Sequence, residues 1–437
     1  MEFALIALFC SFLALCVATD HSVLYAMCAG FALFFGYGLA RGCGAQPLAR
    51  AAWKGVRLVG PVIFIFLLIG MISAAWRASG TIPAIVSWAA DAVEPRMAYL
   101  LAFWFNGLMS FLTGTSFGTV SIMGVVFMTI GHALGADPVA MAGAVMSGIF
   151  FGDRCSPVSS SAYFVATVTQ TNLYDNLRRM AWTGAVPFAA ASLIYLALGF
   201  AGSIGAAAVD VRSLFASEFN LSLWTLAPVA VLLVLTALRA SMRLVLGASV
   251  IAALAVALAV QGRTPADLAG MLVFGFESSQ AALAPMINGG GMLSMILVSC
   301  IAAISATFSG LFEATGILKP FSQLVQKLAR TATPFGAMTA TAALTGMISC
   351  NQILSVLLTN ELCRPLFPNE RRAIGLENTS IVTAALIPWS IASSVPVGIL
   401  DAPASCLLFA FYLILLPVWS FAAQFLPAGR IKRALGV

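Results

Sequence analysis

Long apolar runs set the terms for this chain. Near residues 3–19, 22–40, 58–75, 180–201, 223–238, 243–260, 292–312 and 404–424 the sequence continues with almost no charged residue. A helix needs about 20 apolar residues to cross the hydrocarbon core of a bilayer, so each run is a candidate span. The whole composition agrees: 437 residues that are 61% hydrophobic and 9% charged, with a mean hydropathy of +1.00, cannot cover a water-facing surface. With the shorter runs included, the pattern predicts an all-α integral membrane protein, a polytopic helical bundle of roughly 11–14 membrane segments. There is no room for a separate soluble domain. The expected surroundings are the lipid bilayer of the cell membrane, with no nucleic-acid partner; an oligomer is left open.

Charge placement predicts the orientation. Basic residues collect at Arg41, Arg50, Lys54 and Arg57, at Arg239 and Arg243, and at Arg430, Lys432 and Arg433. Such clusters mark cytoplasmic loops, which puts both termini inside. The net charge of +6 is explained the same way and needs no anionic ligand. The first residues carry Glu2 and no basic leader, so the first helix is expected to be retained. Nine cysteines are scattered without a CxxC or metal-ligand spacing, and most read as small packing residues.

A polar loop around Asp210, Arg212, Glu218 and Asn220, and a later Asn288-Gly289-Gly290-Gly291 stretch, interrupt the hydropathy. They suggest N-terminal helices over 1–75, a first repeat over 76–205, a connecting region over 206–280 and a second repeat over 281–437. Each repeat holds polar, Gly- or Pro-containing segments inside apolar sequence. The first has Thr113-Gly114-Thr115-Ser116-Phe117-Gly118-Thr119 and then Gly152-Asp153-Arg154-Cys155-Ser156-Pro157-Val158-Ser159-Ser160-Ser161. The second has Thr345-Gly346-Met347-Ile348-Ser349-Cys350-Asn351-Gln352, then Glu377-Asn378-Thr379-Ser380, and then Pro388-Trp389-Ser390. Close helix packing explains isolated Gly, Ser and Thr. It does not explain carboxylates and amides in matched places. Discontinuous helices and re-entrant hairpins around a midplane site do.

A charge at the membrane centre costs about 2.5–3.5 kcal/mol even on the lenient scale, so Asp153 and Glu377 call for a function. A buried ion pair with Arg154 is the structural alternative for Asp153, and a helix start is the alternative for Glu377. Glu277 and Glu313 are candidate proton carriers. Two histidines, His21 and His132, leave no metal constellation or catalytic triad, and no GxxxxGK[ST] loop is present. The expectation is a secondary transporter driven by an ion gradient, not an enzyme.

At these same segments the sequence resembles the NhaC family of sodium/proton antiporters, within the broader ion-transporter superfamily. The likeness runs from about Trp76 to about Ser420. It takes in Trp76-Arg77-Ala78-Ser79-Gly80-Thr81-Ile82-Pro83, the Thr113 to Thr119 segment, Ala142 to Gly148, Phe151 to Pro157, Gly289-Gly290-Gly291-Met292, Leu376-Glu377-Asn378 and Leu386-Ile387-Pro388-Trp389-Ser390. The resemblance implies inverted repeats with alternating access and no prosthetic cofactor. It also exposes departures. Where the family places Asp-Thr-Thr this chain has Ser160-Ser161-Ala162, and where it places Asp-Ser-Gly this chain has Asn378-Thr379-Ser380. Ser390 stands for the usual Asn. Two missing carboxylates weaken charge compensation for Na+ and remove two proton acceptors.

The resulting expectation is ion-coupled exchange, with Na+ and/or H+ as coupling ion and Asp153 and Glu377 as the Na+-binding carboxylates. Thr115, Ser116, Ser156, Ser159, Ser160, Asn351, Gln352, Asn378 and Thr379 are the expected neutral ligands. The alternative is a Na+- or H+-coupled transporter of a small organic solute such as an amino acid or amine.

Overall fold

The computed structural model describes residues 2–19, 21–92, 94–157, 159–201, 211–238, 240–280, 283–317 and 333–425. Asp210, Arg239, Arg430, Lys432 and Arg433 from the sequence argument lie outside these residues. The described chain is helical, and the β pairing within it is an isolated bridge between Phe276 and Gly289.

The apolar runs become helices. Six described helices are long and apolar enough to cross a membrane: Val23–Ala40, Val59–Ala78, Ser116–Ala133, Leu173–Ala201, Met242–Ala259 and Met292–Thr315. The pair Asn369–Leu386 and Ile391–Ile399, bent by 52°, has the length and apolar composition of a broken span or a re-entrant loop. The larger number of inserted segments expected from sequence includes shorter helices, such as Gln352–Cys363 of 12 residues, which do not reach a span's length alone.

The Ala45–Ala78 helix is the spine. It runs for 34 residues and packs against both Met242–Ala259 and Ile296–Thr315. Its hydrophilic first turns carry Arg50, Lys54 and Arg57, and Lys54 lies 3.8 Å from Glu313.

Two breaks of one form interrupt the rest of the bundle. The Ala98–Thr113 helix ends on Gly114 at φ 66° and ψ 25°; Thr115, at φ −149° and ψ 127°, is extended; a new helix starts at Ser116. The Pro334–Ser349 helix ends on Cys350 at φ 52° and ψ 11°; Asn351, at φ −142° and ψ 130°, is extended; a new helix starts at Gln352. In each case the extended residue caps the new helix. Thr115 accepts from the Gly118 amide at 3.4 Å and Asn351 from the Ile353 amide at 2.9 Å. Left-handed backbone suits Gly114, whereas at Cys350 it costs on the order of 1 kcal/mol.

Glycine also sets how the next helix lies. A Cβ on Gly148 would sit 2.5 Å from the Phe103 carbonyl oxygen, and one on Gly152 would sit 2.3 Å from that of Gly107. The Pro138–Cys155 helix therefore meets Ala98–Thr113 backbone to backbone, which small residues alone permit. Asp153, the next residue along, is carried by that contact to the first break.

Candidate functional site

Asp153 sits in the last turn of Pro138–Cys155, just before Ser156-Pro157 ends the helix. It is 4% exposed. The Ser159 hydroxyl donates to its Oδ1 at 2.8 Å, and the Ser116 and Ser161 hydroxyls bond the same carboxylate. Ser159 also caps the next helix, accepting from the amides of Ser161 at 3.2 Å and Ala162 at 3.3 Å. One residue type thus serves two needs: it starts the Ser160–Thr169 helix and solvates a buried carboxylate. Ser116 arrives from the first break, so the two polar segments of the first half meet at Asp153.

Glu377 lies at the end of the Asn369–Asn378 helix, not at a helix start, so the alternative of a helix-start role is corrected. It is fully buried, and neither carboxylate oxygen has a hydrogen-bond partner among the described residues. The hydroxyls of Ser380, Ser390, Ser393 and Ser394 on the adjoining bent span are also unpartnered. The charges acting on Glu377 are Arg154 and Asp153.

Arg154 does not form the ion pair with Asp153 considered from sequence. Its guanidinium is fully buried and points the other way, to Tyr412 Oη at 3.1 Å, Thr183 Oγ1 at 3.0 Å, the Met180 carbonyl oxygen at 3.4 Å and the Asn378 side-chain oxygen. Asn378 in turn donates to Ser420 Oγ at 3.0 Å. Both ends of the amide are taken by protein groups, which makes Asn378 a positioning residue. Thr379 donates to the Gly375 carbonyl oxygen at 2.7 Å, back into its own helix.

The second break is tied to the bent span. Gln352 Nε2 donates to the Ile381 carbonyl oxygen at 3.0 Å, the Ile391 amide to that of Cys350 at 2.9 Å, and Trp389 Nε1 to that of Met347 at 3.0 Å. The break at Cys350 and the break around Pro388 are therefore one unit. Asn351 caps its helix and Ser156 is buried at the end of the Asp153 helix.

Thr115 and Ser160 face elsewhere. They line a cavity of about 720 Å³ bounded by Phe66, Phe117, Leu232 and, from the second break, Ile353. The candidate proton carriers are not brought to this cluster. Glu313 is exposed beside Lys54, and Glu277 is exposed in the segment after the Pro265–Phe274 helix. Among the described residues no group of three or more His, Cys, Asp and Glu side chains could hold a metal ion. A cation at Asp153 would instead draw on serine hydroxyls. Sequence reasoning missed Arg154 as an organiser, and missed Tyr412 and Thr183, which sit singly within apolar runs.

A family model described as the Na+/H+ antiporter family matches residues 2–161 and 148–425. The Na(+)/H(+) antiporter NhaC of Alkalihalophilus pseudofirmus is 28% identical over 408 residues, covering 88% of this chain and 86% of that protein. The malate-2H(+)/Na(+)-lactate antiporter of Bacillus subtilis is 24% identical over 369 residues, covering 81% and 78%. The arginine/ornithine antiporter ArcD of Halobacterium salinarum is 26% identical over 346 residues, covering 75% and 70%. With apolar spans, paired breaks and a family match over nearly its whole length, the chain belongs to the Na+/H+ antiporter family, as a multi-pass plasma-membrane protein and an ion-coupled secondary antiporter.

Proposed function

We propose that the chain exchanges Na+ for H+, with Asp153 and Glu377 as the carboxylates that take cation and proton in turn. The carrying observation is a pair of buried carboxylates, one from each half, beside one buried guanidinium. Asp153 has serine donors around it, while Glu377 has none among the described residues.

An ionised carboxylate without donors is costly in an apolar interior. A proton or a monovalent cation removes that cost, and each makes the other redundant. Loaded forms are thereby favoured over the bare one, which is the condition for exchange in place of leak. The names of the NhaC relatives support the same pair of ions. The recurrence of the break at Gly114 and Cys350 supports 76–205 and 281–437 as the two repeats that alternate in access.

The test is Na+ uptake into proteoliposomes under an imposed pH gradient. The wild type is expected to accumulate Na+, with Asp153→Asn and Glu377→Gln each slowed roughly a hundredfold or more. Absence of Na+ movement by the wild type at every pH between 6 and 9, taken as roughly the range of membrane physiology, rejects the proposal.

A further inference from the structure

The cavity beside the first break is far larger than a bare monovalent ion requires. At about 720 Å³ it falls within the roughly 300–1,000 Å³ of pockets that hold organic ligands. Its walls come from three helices outside the breaks: Val62 and Phe66 on Ala45–Ala78, Leu232 and Thr236 on Ala227–Ala237, and Leu246 on Met242–Ala259. Those walls are apolar apart from Thr236. The remaining lining carries three hydroxyl residues, Thr113, Thr115 and Ser160, among Phe111, Leu112 and Phe117.

The hydroxyl residues of the lining are chain neighbours of the serines around Asp153. Thr115 precedes Ser116, and Ser160 stands between Ser159 and Ser161; Ser116, Ser159 and Ser161 are the serines that bond the carboxylate. One layer of hydroxyl residues therefore separates the cavity from a buried anion. Among the described residues no charged side chain lines the cavity, and the nearby guanidinium of Arg154 is turned away toward Asn378 and Tyr412. A ligand suited to these surroundings carries one positive charge at one end and an apolar body at the other. An anion would meet Asp153 with nothing to balance it, and a bare hydrated cation would leave the apolar walls unused.

We infer that this cavity binds an amphipathic organic monocation, an aryl- or alkylammonium, whose charged end lies against the Thr115 and Ser160 side and competes electrostatically with Na+ at Asp153. The inference rests on the reading of Asp153 as the cation site. It adds a ligand class and a second wall, the Ala227–Ala237 helix, which the exchange of Na+ for H+ does not use.

The probe is benzyltrimethylammonium, whose permanent charge carries no proton across the bilayer. Its neutral counterpart is neopentylbenzene, and tetramethylammonium supplies the charge without the aromatic body. Pulse uptake of Na+ into proteoliposomes driven by a pH gradient is expected to be inhibited by benzyltrimethylammonium, less so as Na+ is raised, and weakly by the other two compounds. Thr236→Phe, which fills the far wall, is expected to keep Na+ uptake and to raise the inhibitory concentration about tenfold or more. Ser160→Asp is expected to lower it, by bringing a carboxylate to the cavity surface. Equal inhibition of wild type and Thr236→Phe overturns the inference, and so does equal inhibition by neopentylbenzene, which would mark the cavity as a place for lipid chains. Titration calorimetry of benzyltrimethylammonium into the detergent-solubilised protein separates the two readings. Binding that Thr236→Phe weakens, in a protein that moves no Na+, leaves the cavity assignment standing and rejects the exchange; exchange without binding does the reverse.

Discussion

The guanidinium of Arg154 donates to the side-chain oxygen of Asn378, and so joins the end of the helix that carries Asp153 to the end of the helix that carries Glu377. The two halves of the chain thus share one buried cation. Its other partners, among them Tyr412, Thr183 and the Met180 carbonyl oxygen, are neutral, so the bond to Asn378 holds position without cancelling charge.

Removing that acceptor leaves a buried charge short of a partner. Asn378→Ala is expected to lower stability by about 2–3 kcal/mol, the scale of a hydrogen bond to a charged group. Asn378→Asp keeps the acceptor and is expected to stay folded. Thermal unfolding of the purified variants in detergent checks both, and equal stability of Asn378→Ala and wild type would show that Arg154 finds other acceptors.

Glu377→Gln separates function from stability. The substitution keeps size and removes an ionisable group that has no donor, so the variant is expected to be at least as heat-stable as wild type. Its Na+ uptake is expected to fall roughly a hundredfold, equivalent to about 2.7 kcal/mol. A variant that is both active and stable would remove Glu377 from the transport site.

Backbone conformation at the breaks gives a local prediction. At Gly114 the Cβ and branching of Val are opposed by φ 66°, and Gly114→Val is expected to cost about 2 kcal/mol or more. Cys350→Val meets the same opposition at φ 52°, while Cys350→Gly exchanges relief of strain for a lost buried side chain and is expected to be close to neutral. Unfolding midpoints of the three variants rank them.

Contact at Gly152 gives another. A Cβ there would meet Phe111 N at 2.5 Å and Gly107 O at 2.3 Å, both backbone atoms that a rotamer change cannot move. Gly152→Ala is expected to cost about 1–3 kcal/mol and to impair uptake by pushing the Asp153 helix off its neighbour. Gly247→Ala, where nothing lies within 4 Å of the added carbon, serves as the control and is expected to stabilise its helix by about 0.5–1 kcal/mol.

Much of this was legible in residue pattern because lipid imposes a simple rule on length and polarity. The apolar runs at 22–40, 243–260 and 292–312 became helices with nearly those bounds. The breaks were legible too, since Gly114 and the Cys350-Asn351 pair stand inside otherwise helical sequence. Direction was not legible in the pattern. Asp153 and Arg154 are neighbours in sequence, yet on a helix they point apart, one to serines and the other to Asn378 and Tyr412. Ser159 and Ser160 likewise diverge, one toward the carboxylate and one toward the cavity. Glu313 was singled out because an acid within an apolar run looks costly, but it falls in the last turn of its helix, where Lys54 is within reach.

The short helices at the breaks bear on how the protein is made. Gln352–Cys363, with 12 residues at about 1.5 Å each, reaches about 18 Å, well short of a hydrocarbon core about 30 Å thick. Alone in lipid it would leave its polar start at Asn351 unsolvated. During biosynthesis it must therefore enter together with Pro334–Ser349, as a preformed pair, into a space already walled by the long helices made before it.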